Sequence, residues 1–136
     1  MNEKTIFEKI ASGEIPSFKV YEDENTFAFL DISPASYGHT LVIPKKPYKN
    51  IYEIPTEEAG KLFQAVKKVA VTIKKALEAD GVNIVMNNEA AAGQIVFHAH
   101  IHIIPRFEND GGYHGKHLTY PEGKAREIAD KIIANL

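Results

Sequence analysis

The stretch Gly93-Gln94-Ile95-Val96-Phe97-His98-Ala99-His100-Ile101-His102-Ile103-Ile104-Pro105 decides how this chain is read. Three of its six histidines fall here, at i, i+2 and i+4. Side chains on a strand alternate between faces with a period of two. A strand over 95–104 therefore puts His98, His100 and His102 on one face, with Val96 and Ile104 at its ends. The opposite face (Ile95, Phe97, Ala99, Ile101, Ile103) is wholly apolar and suits a core. The β-branched isoleucines and Pro105 oppose a helix.

Three uses of such a face are open from the spacing alone. It could be the polar side of a half-exposed strand. It could be a zinc site, two alternate imidazoles chelating with a third ligand from elsewhere. Or the imidazoles could work as nucleophile and acid–base groups near neutral pH. Imidazole attack needs the unprotonated ring, whose reference pKa is ~6.5, so activity is expected to fall below roughly that pH.

Outward from the triad, the pattern alternates strands and helices. Residues 82–87 read as a strand before it. Before that, Glu57 to Asp80 carries a helical apolar stripe of Ala59, Leu62, Phe63, Val66, Ala70, Ile73 and Leu77, with Thr56 as N-cap and Gly81 as a left-handed stop. Residues 4–11 fit a first helix, ended by Gly13 and Pro16. Residues 17–22 and 26–31 form a hairpin around Asp23-Glu24-Asn25, and His39–Ile43 a third strand. A short helix over 122–134 closes the chain, with Ala125, Ile128, Ile132 and Ile133 apolar. This order predicts an α+β fold, an antiparallel five-stranded sheet packed by one long and one short helix. A length of 136 residues predicts a single domain, 1–136.

Composition narrows the partners. With 16 basic and 18 acidic residues and a net charge of −2, no nucleic acid polymer is expected. No cysteine is present, which removes disulfides, thiolate metal sites and a cysteine nucleophile. No apolar run approaches the ~20 residues of a membrane span, and the N-terminus has no apolar signal core, so no membrane association and a cytoplasmic location are expected.

The triad, together with Thr5-Ile6-Phe7-Glu8-Lys9-Ile10, Glu14-Ile15-Pro16, Phe29-Leu30-Asp31-Ile32-Ser33-Pro34, His39-Thr40-Leu41-Val42-Ile43-Pro44-Lys45-Lys46, Asn87-Asn88-Glu89 and Gly93-Gln94, resembles the histidine triad superfamily of nucleotidyl hydrolases and transferases, and within it the Hint-like branch and its bacterial relatives. The resemblance spans about residues 4–107; the segment from about 108 falls in the family's variable part. It implies a purine nucleoside phosphoramidate hydrolase that works through a nucleotidyl-histidine and binds nucleoside monophosphates. The alternatives it carries are dinucleoside polyphosphate hydrolysis and a nucleotide-binding regulatory module.

Residue by residue, the resemblance makes His100 the nucleophile and His102 a phosphate-oxygen donor. His98 would link the nucleophile to an upstream histidine, His39, which would orient or relay protons. Gln94 and either Asn87 or Asn88 would contact phosphate; the asparagines otherwise read as the start of a loop. Asp31 would accept the ribose hydroxyls, or else is a turn residue before Ser33-Pro34. Ile6, Phe7, Ile10, Phe29 and Ile32 would form the purine slot, or else are ordinary core. An apolar slot with few polar contacts is expected to accept adenine and guanine alike.

Two departures stand out. Ile95 occupies a position where Hint-like relatives commonly carry Ser or Thr, which bears on leaving-group preference. Thr5, Glu8 and Pro47 stand where many bacterial relatives place two cysteines and a histidine around structural zinc, so neither a metal nor any other cofactor is expected. The resemblance also implies a homodimer. His114 and His117 read as part of a solvated tail.

Overall fold

The structure, a computed structural model, describes residues 3–112 and 116–136. A five-stranded antiparallel sheet carries the fold, in the order β1-β2-β3-β5-β4, with β1 Lys19–Glu22, β2 Thr26–Leu30, β3 Thr40–Pro44, β4 Gly81–Val85 and β5 Ile101–Arg106. Three α-helices join it: α1 Ile6–Ala11, α2 Thr56–Ala76 and α3 Lys124–Ala134. This is the expected α+β architecture, with the helix read over 4–11 present as α1 and the one read over 122–134 as α3. No helix among the described residues is long and apolar enough to cross a membrane.

Strand alternation sorts the sheet into two faces. Ala28, Leu30, Val42, Ile101 and Ile103 join Leu62, Val66, Val69 and Ile73 of α2 and Ala125, Ile128 and Ile132 of α3 in the main core. The odd-numbered partners on β2 and β3 (Phe27, Phe29, Leu41, Ile43) point the other way, where Phe7 and Ile10 of α1 cover them in a second cluster. His102 pairs with Leu41 across β3–β5 and so faces this second side.

Several boundaries differ from the sequence reading, each for a local reason. The long helix starts at Thr56, with Pro55 rather than Thr56 at the N-cap. It ends at Ala76, and the left-handed residue after it is Glu78 (φ 52°), leaving Gly81 free to open β4. Its buried stripe centres on Leu62, Val66, Val69, Ile73 and Ala76, which leaves Phe63 half exposed at the edge. Ile133 is likewise exposed on α3.

The largest difference lies in the triad itself. The strand runs Ile101–Arg106, not 95–104, and residues 94–100 approach it as a bent loop. Ile95 is 87% exposed and Phe97 49% exposed, so the predicted apolar face exists only from Ala99 onward. Pro105 is tolerated in this central strand because β3 pairs only with residues 101–103, leaving no ladder donor missing at 105 on that side.

Candidate active site

On the second face, a cleft of about 590 Å³ opens between α1, the β2–β3 connection and the 93–102 segment. That size lies within the ~300–1,000 Å³ usual for small-molecule sites. Ile6, Phe7, Ile10, Phe29 and Ile32 line it, together with Asp31, Asn87, His100 and His102. Phe7 and Phe29 are also buried members of the second cluster, while Ile32 is 72% exposed at the rim. Core packing and slot wall are therefore the same residues seen from two sides.

The imidazoles are ordered by hydrogen bonds whose partners assign the protons. The Ala35 N–H donates to His39 Nδ1 over 3.0 Å, so the His39 proton sits on Nε2. That Nε2–H donates to His102 Nδ1 over 2.9 Å. His102 must then carry its own proton on Nε2, as a donor. His100 differs: its Nδ1–H donates to the backbone carbonyl of His98 over 2.7 Å, leaving the Nε2 lone pair unprotonated. Two adjacent rings, 5.1 Å between centroids, are thus held in opposite tautomers, one with a free Nε2 lone pair and one with an Nε2–H donor.

Burial keeps these rings neutral, because a low-dielectric surrounding penalises the charged form. It pushes His39 down to about 4, helped by the nearby His117. It pushes His102 down to about 4, helped by His100 and His39. His100 is lowered mainly by burial, with its bond to the His98 carbonyl and the charge of Asp31 opposing. The acid limb of an imidazole-dependent rate is therefore expected below the reference value near 6.5.

Asp31 plays the turn role at least: its Oδ1 accepts from Ser33 N–H over 2.8 Å. Its Oδ2 lies 3.7 Å from His39 Nε2, a charge contact only when that ring is protonated. Asp31, His39 and His102 each bring a ligand atom within 4.8 Å of the others. The shared proton between the two rings accounts for their approach without an ion.

Other sequence-assigned residues land elsewhere. The His98 ring does not link His100 to His39, whose partner is His102. It is fully buried, with Nε2–H donating to Pro44 O over 2.8 Å and Nδ1 2.7 Å from Thr5 Oγ1. Gln94 does not line the cleft. Its amide accepts from Glu89 N–H and donates to Lys49 O and Val96 O, so every strong contact is spent on the loop. Asn88 accepts from Ile51 N–H and is likewise structural. Asn87 alone of the pair lines the cleft, beside Gly93, whose φ of +94° lets the chain pass close to it.

Thr5 and Glu8 form a capping box at the start of α1, each side chain bonded to the other's backbone N–H. With Pro47 as the third position and both His98 nitrogens engaged, these residues do not fit a structural zinc. His117 is exposed in an irregular segment, as the solvated-tail reading expects, yet it also lines the cleft with Nδ1–H donating to Ser33 O over 2.8 Å, because the chain from Lys116 folds back along the β2–β3 connection, Leu118 N–H bonding Pro34 O. Nothing in the sequence signals that return. His114 lies outside the described residues.

Comparison with known proteins agrees with this geometry. The HIT domain model matches residues 12–109. A crystal structure of a Hit-like protein from Bartonella henselae superposes with a TM-score of 0.89 at 44% identity, covering 100% of this chain and 99% of that one. The adenylylsulfatase HINT3 of Arabidopsis thaliana is 45% identical over 129 residues, 95% of this chain and 66% of its own. The adenosine 5'-monophosphoramidase HNT1 of Candida albicans is 39% identical over 111 residues, 79% of this chain and 73% of its own. With the opposed imidazoles, the apolar slot and these relatives together, the chain belongs to the HIT family, in its Hint-like branch.

Proposed function

We propose that this protein hydrolyses purine nucleoside phosphoramidates through a nucleotidyl-histidine on His100. The observation that carries the reading is the pair of opposed tautomers, an unprotonated His100 Nε2 beside a protonated His102 Nε2 at one cleft. His100 Nε2 attacks the α-phosphorus; the P–N bond to the leaving amine breaks and that nitrogen takes up a proton from the solvent side. Water then attacks the phosphorus, the bond to Nε2 breaks, the monophosphate leaves and the proton returns to solvent. Splitting one displacement into two lowers each barrier. His102 Nε2–H, held by the His39 relay, donates to a non-bridging oxygen as its charge grows, with no reorganisation needed. Asp31 accepts from the ribose hydroxyls, and Phe7, Phe29, Ile6, Ile10 and Ile32 sandwich the base. Asn87 is the remaining phosphate contact.

The names of two relatives, an adenylylsulfatase and an adenosine monophosphoramidase, support adenylyl transfer to water as the shared chemistry. Acid quench with an adenosine phosphoramidate followed by peptide mass spectrometry tests the reading. A mass gain of one adenylyl group on His100 is expected, and turnover without it would refute the covalent step. Running adenylyl sulfate and a dinucleoside polyphosphate alongside ranks the leaving groups, on which the exposed Ile95 at the cleft bears. The same reading includes a homodimer and a cytoplasmic location. β4 is a sheet edge and carries the exposed Ile84, a surface suited to pairing. Sedimentation at twice the chain mass is the expected result.

A further inference from the structure

We infer that Thr5 is a positioning residue for His100: its hydroxyl, by donating to His98, ties the slot-forming helix α1 to the loop that aims the nucleophile. The inference rests on the proposed reaction for its kinetic meaning but on the hydrogen bonds for its geometry.

The bonds leave Thr5 one arrangement. A carbonyl only accepts, so the contact to Pro44 O puts the His98 proton on Nε2. His98 Nδ1 is then a lone pair in a fully buried ring and needs a donor. The Thr5 hydroxyl, 2.7 Å away, is that donor. The same oxygen accepts from Glu8 N–H over 2.9 Å as the N-cap of α1. Only a group that donates and accepts at once can serve both, and a hydroxyl does.

His98 has no nitrogen left for a proton relay, so its ring is an anchor. What it anchors is the irregular segment 94–100, where no strand ladder holds the backbone. Within that segment the His98 carbonyl receives the His100 Nδ1–H and so fixes the tautomer and direction of the nucleophile. Phe7, two residues after Thr5, packs edge-on against both His98 and His100, at 5.8 and 5.1 Å between centroids. A base pressing on α1 is therefore in mechanical contact with the nucleophile through Phe7 and through Thr5.

The alternative is that Thr5 merely caps a helix, and two substitutions separate the roles. Thr5→Ser keeps donor and cap. Thr5→Gly is still a competent N-cap residue, but it has no hydroxyl to give His98 Nδ1. Full-length protein would be assayed with an adenosine phosphoramidate and its histidine rings followed by long-range ¹H–¹⁵N correlation. Thr5→Ser is expected within about 3-fold of the parent. Thr5→Gly is expected to lose roughly 10- to 100-fold in kcat with KM within about 3-fold, as misaligned nucleophiles do. In its spectrum the His98 Nδ1 signal moves as its donor is lost, and the His100 ring signals move with it. Thermal melting confirms that both variants fold. Unmoved His100 signals in a folded Thr5→Gly protein, or a parental kcat, would overturn the inference. If the parent itself shows no turnover, the phosphoramidase reading fails alone, and the ring signals still decide for or against Thr5.

Discussion

Acid should weaken the fold through the very rings that shape the site. His39 and His102 titrate near 6.5 when unfolded but at about 4 in the folded chain. Between those values the unfolded chain binds protons that the native state refuses, so stability is complete above 6.5 and is lost as the pH falls toward 4. From pH 7 to pH 5, one such histidine accounts for roughly 2 kcal/mol. The pair shares one proton, so a first protonation hinders the second and the joint effect is about 2 to 4 kcal/mol. With a urea slope of about 2 kcal/mol per molar, the unfolding midpoint should drop by roughly 1 to 2 M over this range. Staying at pH 5 or above favours the histidines, because Glu14, Glu22 and Glu58, held below their usual range in the folded chain, destabilise it only as the unfolded carboxylates take up protons, mostly at lower pH. His39→Gln removes one titrating ring and should shallow the slope while lowering stability at pH 7. A midpoint that is flat between pH 7 and 5, or that rises as the solution is acidified, would refute the claim that burial holds these rings neutral.

Further outcomes follow from the same geometry. The acid limb of kcat/KM should lie below 6.5, since burial lowers His100; a limb above 6.5 would contradict that environment. His100→Ala should cost at least about 10³-fold in turnover while leaving nucleoside monophosphate binding nearly intact by calorimetry. Gln94→Ala should act on stability, by about 2 to 3 kcal/mol from the three backbone groups it strands, rather than on phosphate affinity. Gly38 has φ +101° and a Cβ there would meet Leu77 Cδ1 at 2.3 Å and the Pro105 ring at 3.3 Å. Gly38→Ala should therefore cost about 1 to 3 kcal/mol in thermal or urea unfolding.

The sheet was legible in the sequence because alternation is local physics: Phe27, Ala28, Phe29 and Leu30 announce two buried faces by themselves. His102 was legible for the same reason, being a true strand residue. His100 reaches the cleft beside His102 as read, though from a loop, and the His98 ring does not, because the period-two argument presumes a strand that does not begin until Ile101. Gln94 and Asn88 were assigned to ligand by resemblance, and their capture by Lys49 O, Glu89 N–H and Ile51 N–H is tertiary information. The role of Thr5 depends on a contact spanning 93 positions, beyond any window of sequence pattern.

One strand alternates two professions. Along β5, Ile101 and Ile103 are fully buried under α2, while His102 between them turns to the cleft. Sliding this ribbon by a single rung would thrust an imidazole into oil and an isoleucine into the cleft. A slipped register would thus cost the core and the cleft together.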